Sequence, residues 1–548
     1  MGAEIDCILI GYNDTDLNWI DDELKPLQNF SGAYRHFRGN AVFTRGRWRH
    51  FTDLLNCALE DATGRRQGLH VARTPSLACC ILKSFLAARG LRSEIVNFFN
   101  HDRGRLIELL AQSPRTVAIT TTVYTTPRPV REVVEFIRQH NPDVRIVVGG
   151  PHIFNTCSDH DAETQDVLFQ EMDADIYVFD SQGEQTLAEL LTELRRPDPD
   201  LARVPNLIWT EDGFTFSRSE RRPENNDLDA NVIDWTVFDD NYLSPFVWMR
   251  TARSCAFACA FCRYPAIGGA LTLNDIEVLR QQFRMLKSRG VKFIYFIDDT
   301  FNVPLPRFKK LCRMMIEENF GFQWASYFRC ANADEETFDL IKAAGCVAVF
   351  AGIESGDQQV LKNMNKAVKV DGYKRGMRAL AERDIMVHAS FIIGFPGETA
   401  ASVQNTLSFI EETAPTFYAV ESYFHDPKVP VQDRAAEFNL QGSGYSWSHN
   451  TMNWLEAAEH VDHLYRNVKN SALLPLYGVD MWSVPYFLAN GITRPQLIEF
   501  LRIAQAMVIR SFDEERPNYD REWAQLRGVF QPVGALPVTS QPVNARVA

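Results

Sequence analysis

Residues 6–13, DCILIGYN, form an apolar run closed by polar residues, the pattern of a buried strand; a polar and aromatic stretch separates them from the helix-like SLACCILKSFLAARG at 76–90. From there apolar runs alternate with amphipathic segments. SEIVNFFN, TVAITTTVYTT, VRIVVGGPH and ADIYVFD read as strands. PVREVVEFIRQHN and EQTLAELLTEL carry apolar residues at helical spacing. Apolar strands joined through such helices predict a doubly wound parallel sheet over residues 1–200, with its ligand site beyond the carboxyl ends of the strands. Those ends carry Thr120 to Thr126, the Gly149-Gly150-Pro151-His152 turn and Ser181-Gln182-Gly183-Glu184, where small side chains let a large ligand approach the backbone.

Proline and charge at RRPDPD (195–200) and RRPENNDLD (221–229) mark a linker over 201–244. A second alternation occupies 245–430. VWMRTARS, VKFIYFIDD, FQWASYFR, VAVFAGIES and MVHASFIIGF read as strands, separated by helices at 274–289, 306–319, 334–344 and 371–383. This series predicts a partial TIM-type β/α barrel with its chemistry at the carboxyl ends of the strands. A mostly helical region is expected over 431–530, irregular at first and helical at 494–511, then a disordered tail at 531–548. The fold class is therefore α/β: a Rossmann-like domain, a half-barrel and a C-terminal cap.

The 548 residues, 45% hydrophobic and 23% charged, are those of a globular chain of about three domains. A formal net charge of -13 argues against a general nucleic-acid binder, which needs a basic face to displace counterions. The amino terminus has an acid at position 4, unlike a cationic leader, and no apolar stretch reaches the ~18 residues of a bilayer span. A cytoplasmic protein without membrane contact is expected. Of eleven cysteines, Cys7, Cys57, Cys157, Cys312 and Cys346 stand singly among apolar neighbours, as reduced buried thiols do.

One cluster stands apart. Cys255-Ala-Phe-Ala-Cys259-Ala-Phe-Cys262 places three thiols within eight residues, directly after the first strand of the second series. Thiolate is the preferred ligand of iron–sulfur clusters, and three thiolates on a four-iron cube leave one iron open to a small molecule. Structural zinc is the competing reading, but it requires a fourth ligand, and no cysteine or histidine lies nearby in sequence.

The C-x3-C-x2-C spacing, with Phe261 before the last cysteine, resembles the radical S-adenosylmethionine (SAM) superfamily. That resemblance implies a [4Fe–4S] cluster on Cys255, Cys259 and Cys262 whose open iron binds S-adenosyl-L-methionine. Downstream pieces follow in matching order: FIDDTF with Asp298, Asp299 and Thr300 at the methionine amine, YFRC with Arg329, GIESG with Glu354 and Ser355, and FIIGFPGET with Gly394 facing the adenine. Taken singly, an Asp-Asp pair is more often a turn or cap, Gly-Phe-Pro-Gly a turn, and Arg329 a structural ion pair. The ordered set carries the resemblance.

The α/β domain in front resembles that of the cobalamin-binding subgroup, although its pattern alone also suits a nucleotide or flavin binder. On that resemblance Thr121, Thr122, Val123, Gly149, Gly150, His152, Gly183 and Glu184 face the corrinoid. Residues 1–200 contain no Asp-x-His-x-x-Gly sequence, so base-off cobalamin without a histidine lower ligand is expected, and His101 reads as a loop residue. DCILIGYNDTD, SGAYR (31–35), YFHDPKVP (423–430) and GYSWSHNTMNW (444–454) resemble features of class B radical SAM methyltransferases of secondary metabolism, in particular the phosphinate P-methyltransferase-like family. The resemblance implies methyl transfer from methylcobalamin to an unactivated carbon or a phosphinate phosphorus of a small biosynthetic intermediate, with a flavodoxin or ferredoxin as electron donor. His425, Lys428, Tyr445 and His449 are the substrate candidates, with Lys428 suited to an anion; they read equally as loop residues packed on the barrel mouth. A cobalamin-binding radical SAM cyclase is the alternative, and a cobalamin- or redox-sensing regulator a more distant one.

Overall fold

A computed structural model describes residues 4–14, 16–243, 245–475 and 482–531. Strands β1 (Cys7–Tyr12), β2 (Ser93–Phe98), β3 (Thr116–Thr120), β4 (Arg145–Gly149) and β5 (Ile176–Val178) lie side by side in the order β2-β1-β3-β4-β5, all parallel. Helices cover both faces, which is why Cys7 to Ile10 are fully buried. The strand order reverses between β1 and β3, opening a crevice at their carboxyl ends. Part of the segment expected as a linker belongs to this sheet: β6 (Leu207–Trp209) and β7 (Ser217–Arg218) extend it antiparallel beyond β5. Their short runs and proline-rich surroundings hid them from a reading based on periodicity.

The second sheet comprises β8 (Phe246–Met249), β9 (Phe293–Phe296), β10 (Gln323–Tyr327), β11 (Cys346–Glu354), β12 (Met386–Ile393), β13 (Phe417–Ser422) and β14 (Ala472–Leu473), parallel and in sequential order. Among the described residues β8 and β14 do not pair, so the barrel is open. Its outward residues meet the surrounding helices: Phe296 lies 6.0 Å from Phe283, and Phe391 6.0 Å from Phe409. The alternate residues therefore point inward.

The C-terminal region is more regular than expected. A meander of Gln441–Ser443, Ser446–His449 and Met452–Asn453 leads into a helix, Trp454–Asn467, started by a capping box of Asn453 and Glu456. Helices Arg494–Asp513 and Asp520–Phe530 follow. The early polar stretch also folds, as helices Leu17–Leu24, Gly32–Asn40 and Phe51–Thr63 with a hairpin of Val42–Thr44 and Arg47–Arg49. It docks on the C-terminal helices: Trp523 Nε1 donates to Thr44 Oγ1 at 3.0 Å, Arg35 to Asp462 at 2.8 Å, and Phe51 meets Phe500 edge-on. The expected tail lies, from residue 532, outside the described residues.

Between the helix Glu335–Ala343 and β11 the chain turns at Gly345, whose φ is +93° and where a Cβ would stand 2.1 Å from the Phe322 carbonyl oxygen. Gly345→Ala is expected to destabilise the fold by about 2–4 kcal/mol, since both backbone strain and a clash result. Urea unfolding checks this as a lowered midpoint at constant slope.

Candidate active site

The cysteine loop starts from a pinned strand end. Asp298, buried just beyond β9, accepts the backbone N–H groups of Thr251 and Ala252 and the Thr251 hydroxyl. Its carboxylate fixes the exit from β8. Burial raises its pKa, and the bonds from Thr251 oppose that rise. Cys255, Cys259 and Cys262 follow, all free and half-buried. Burial pushes the Cys259 and Cys262 thiols up, and the charges of neighbouring cysteines add to it. Thr300 Oγ1 lies 3.0 Å from Cys255 Sγ, and Asp299 is near enough to Cys262 to raise its pKa. On the far side, Ala260 N–H bonds Met364 O, Asn365 Nδ2 bonds Ala258 O, and Val431 N–H bonds Ala260 O.

Among the described residues the three thiols do not all lie within 4.8 Å of one another. A tetrahedral zinc would hold its sulfurs about 3.8 Å apart.

Of the other residues expected at S-adenosylmethionine, several converge on this mouth. Arg329 is buried with its guanidinium 3.7 Å from the Phe257 ring; Nε bonds Asn332, and Nη2 has no partner among the described residues. A buried cation with an unspent donor is suited to an anionic ligand. Glu354, in the left-handed region at φ +69°, is buried and accepts from Lys366 Nζ at 3.0 Å, while that Nζ lies 5.5 Å from the Phe261 ring. Ser355 is occupied locally, accepting the Asp357 N–H at 3.1 Å beside Thr406. At Gly394 the N–H bonds Glu398 and the carbonyl meets His449 Nε2 at 3.2 Å.

The carboxyl-end face of the first sheet lies across from this mouth. Thr121 Oγ1 donates to Gly149 O at 2.9 Å and accepts His152 N–H at 3.2 Å. Gly150, at φ +109°, has Thr121 Oγ1 2.9 Å from where a Cβ would be, so only glycine fits. Thr122 and Val123 are exposed. Gly183 precedes the helix Glu184–Leu194, and the buried Glu184 accepts from Asn226 Nδ2 at 3.1 Å. His152 Nε2 is buried without a partner among the described residues, and desolvation lowers its pKa.

Two arginines tie the faces together. Arg263, the residue after Cys262, donates both terminal nitrogens to Asp159 at 2.8 Å. Asp159 ends the helix Pro151–Asp159 that follows the Gly149-Gly150 turn. Arg253 donates to Gln182 Oε1, Asn226 O and Asn225 Oδ1, each at 2.8 Å.

The substrate candidates divide. His425 is buried, and its ring nitrogens meet Gly442 O and Gln432 Oε1 at 3.0 Å each. Lys428 is exposed, and its N–H bonds Asp426. His449 stacks on Trp447 with centroids 5.3 Å apart. Tyr445 stacks on His36, 5.0 Å away, at the end of β13. Sequence reasoning missed Glu398, Lys366, His36 and a cluster at the end of β1, where Asp14 Oδ2 lies 3.0 Å from His70 Nε2 and 3.9 Å from His50 Nε2. His50 Nδ1 accepts Asp53 N–H and His70 Nδ1 accepts Ala72 N–H, so the Nε2 of each ring is the nitrogen that faces Asp14. The partners lie tens of residues apart, beyond any local pattern.

The geometry is that of a half-barrel presenting three cysteines after its first strand, faced by a doubly wound domain. Residues 249–410 match the Radical SAM superfamily and form a radical SAM domain. The chain is 24% identical to an uncharacterized methyltransferase, PH0819, of Pyrococcus horikoshii over 55% of its length and 64% of the relative's. It is 24% identical to an anaerobic magnesium-protoporphyrin IX monomethyl ester cyclase of Rubrivivax gelatinosus over 54% of each chain. Both matches span less than two thirds of the relative. The fold is similar to the radical S-adenosylmethionine methyltransferase TsrM of Kitasatospora setae with cobalamin and a [4Fe-4S] cluster bound, with TM-score 0.53 and 20% identity over 66% of this chain and 72% of that one. Among the described residues no helix is long and apolar enough to cross a membrane.

Glu398 accepts the Gly394 N–H, and burial pushes its carboxyl up to about 8. Its folded pKa exceeds its unfolded one, so the native state loses stability as pH rises from about 5 to about 8, where only the unfolded chain ionises. Glu398→Gln is expected to abolish that decline; parallel stability–pH profiles for the two proteins would contradict it.

Proposed function

We propose that this chain is a cobalamin-dependent radical S-adenosylmethionine methyltransferase acting on a small biosynthetic intermediate, with an unactivated carbon or a phosphinate phosphorus as methyl acceptor. The observation that carries this reading is the locking of two carboxyl-end faces, thiols on one and a glycine-lined cradle on the other, by Arg263–Asp159 and Arg253. When bound, the cluster supplies an electron to S-adenosylmethionine, and the cobalamin a transferable methyl group.

The residues fit these groups. Cys255, Cys259 and Cys262 would hold three irons and leave the fourth to the amino and carboxylate groups of S-adenosylmethionine. The free Nη2 of Arg329 would hold an anion, Thr300 and Asp299 would orient the ligand, and Phe257 and Phe261 would keep water from the cluster. Gly150 and Thr121 would let a flat macrocycle approach the backbone, with Val123, Gly183 and Glu184 at its edge. His152 is the one histidine of that face with an unspent nitrogen, and we assign it to the cofactor's edge rather than to cobalt. A flavodoxin or ferredoxin would donate the electron.

Anaerobic reconstitution with iron, sulfide and hydroxocobalamin tests the reading. The expected result is a reduced-cluster EPR signal perturbed by S-adenosylmethionine, retained cobalamin and release of 5′-deoxyadenosine. Cys255→Ala, Cys259→Ala and Cys262→Ala should each lose the signal. A cluster without cobalamin would leave radical chemistry but remove methyl transfer. The cyclase relative favours a second reading, ring closure, which product mass separates because only methylation adds a CH2 unit.

A further inference from the structure

We propose that the cavity between the amino-terminal hairpin and the last helix is a binding site for a phosphate monoester with a flat ring, of the size of a nucleoside monophosphate. Its lining shares no residue with the candidate active site, so the inference stands apart from the methyltransferase reading.

The hairpin of Val42–Thr44 and Arg47–Arg49 faces the helix Asp520–Phe530 across a cavity of about 410 Å³, whose lining includes Phe43, Arg45, Arg516, Tyr519, Trp523 and Arg527. Small-molecule sites run from about 300 to 1,000 Å³, and a lone inorganic anion would leave most of this space to water. The walls are rings whose polar atoms are spent elsewhere. Trp523 Nε1 donates to Thr44 Oγ1, and the Tyr519 hydroxyl to Met507 O, each at 3.0 Å. They therefore offer a ligand ring apolar contact, while the charged donors of the lining are its three guanidiniums.

Those guanidiniums outnumber their partners. Arg45, 3.8 Å from the centre of the Trp523 ring, is held by Asp61. Arg516, 4.8 Å from the centre of the Phe43 ring, and Arg527 make no side-chain hydrogen bond or ion pair with the described residues. Asp520, the acid of the lining, accepts from Asn518 Nδ2 at 3.0 Å. The surplus extends along the hairpin: residues 31–50 hold five arginines and no acid, in a chain of formal charge -13. Arg49 there is buried with its Nε unpartnered among the described residues, and burial, with the nearby Arg47 and Arg45 charges, lowers its pKa. Like charges held this close repel one another, and a bound anion relieves the repulsion. Two unspent planar forks match the several oxygens of a phosphate monoester, which carries about two negative charges at neutral pH. A single carboxylate would leave one fork unmet.

The test titrates adenosine 5′-monophosphate, adenosine and ribose 5-phosphate calorimetrically into the reconstituted holoenzyme, with S-adenosylmethionine saturating so that its own site is filled. The nucleotide is expected to bind about tenfold more tightly than either fragment, a difference of ~1.4 kcal/mol, and to weaken as salt rises. Arg516→Glu and Arg527→Glu should each weaken it about tenfold. Arg521→Glu makes the same charge change at an exposed residue of the same helix outside the lining, and should leave the affinity as it is. That variant separates the cavity from the general field and reports on folding. No binding of the nucleotide, equal affinity for either fragment, unchanged affinity in Arg516→Glu and Arg527→Glu, or an equal loss in Arg521→Glu would overturn the proposal. Release of 5′-deoxyadenosine, measured on the same preparations, reports separately on the radical reading: its absence would sink that reading and leave the order of the probes intact.

Discussion

The bidentate pair of Arg263 and Asp159 is the constraint on which the site depends. A doubly wound domain and a half-barrel in one chain would by default move relative to each other. Here the residue after the last cluster cysteine is clamped to the end of the helix that the Gly149-Gly150 turn begins. The side chains are only 20% and 25% exposed, so solvent screens the pair weakly, and its planar geometry fixes orientation as well as distance. Arg253 repeats the arrangement at the other end of the loop, reaching three acceptors around Gln182. Motion of either face is thereby transmitted to the thiols.

That coupling explains why so much of the mouth is built from polar groups with few degrees of freedom. Asp298 spends its carboxylate on the backbone of Thr251 and Ala252, and Glu354 its charge on Lys366. Both acids lie where the sequence pattern suggests direct ligand contact. Their partners give them another role, since each closes a strand end that would otherwise leave buried donors unmet, which costs more than the bond itself gains. Arg329 differs from them in retaining an unspent nitrogen.

The strands of both sheets were legible because each is apolar on two faces and bounded by turn residues, and the cysteine loop because its spacing is dense and local. β6 and β7 were not, being a few residues long and antiparallel at an edge. The early segment 17–63 reads as an insertion since its apolar residues have no partners within reach; Phe51 finds Phe500, and Thr44 finds Trp523, nearly the whole chain away. The same distance hides His36 from Glu421. His425 and His449 stood out as histidines in polar loops, yet their nitrogens hold the meander and the Gly394 turn, a distinction that only bonding partners reveal.

The two chain ends therefore meet for a reason. Among the described residues β14 pairs only Phe417 and Tyr418 of β13, and beyond them the helix Gly32–Asn40 closes that side together with Trp454–Asn467. Gly32 packs so tightly that a Cβ would stand 2.4 Å from the Tyr445 carbonyl oxygen, while Tyr445 stacks on His36, which in turn meets Glu421. The contacts run from the amino-terminal helix through the meander to the strand that lines the lumen. The cover stays tied to the cysteine loop through the segment after β13, where Asp426 lies 3.4 Å from Arg263 and the Val431 N–H bonds Ala260 O. The cysteine-loop end of the barrel is held by Arg263 and Arg253, and the β13 side by packing and by the Arg35–Asp462 and His36–Glu421 pairs.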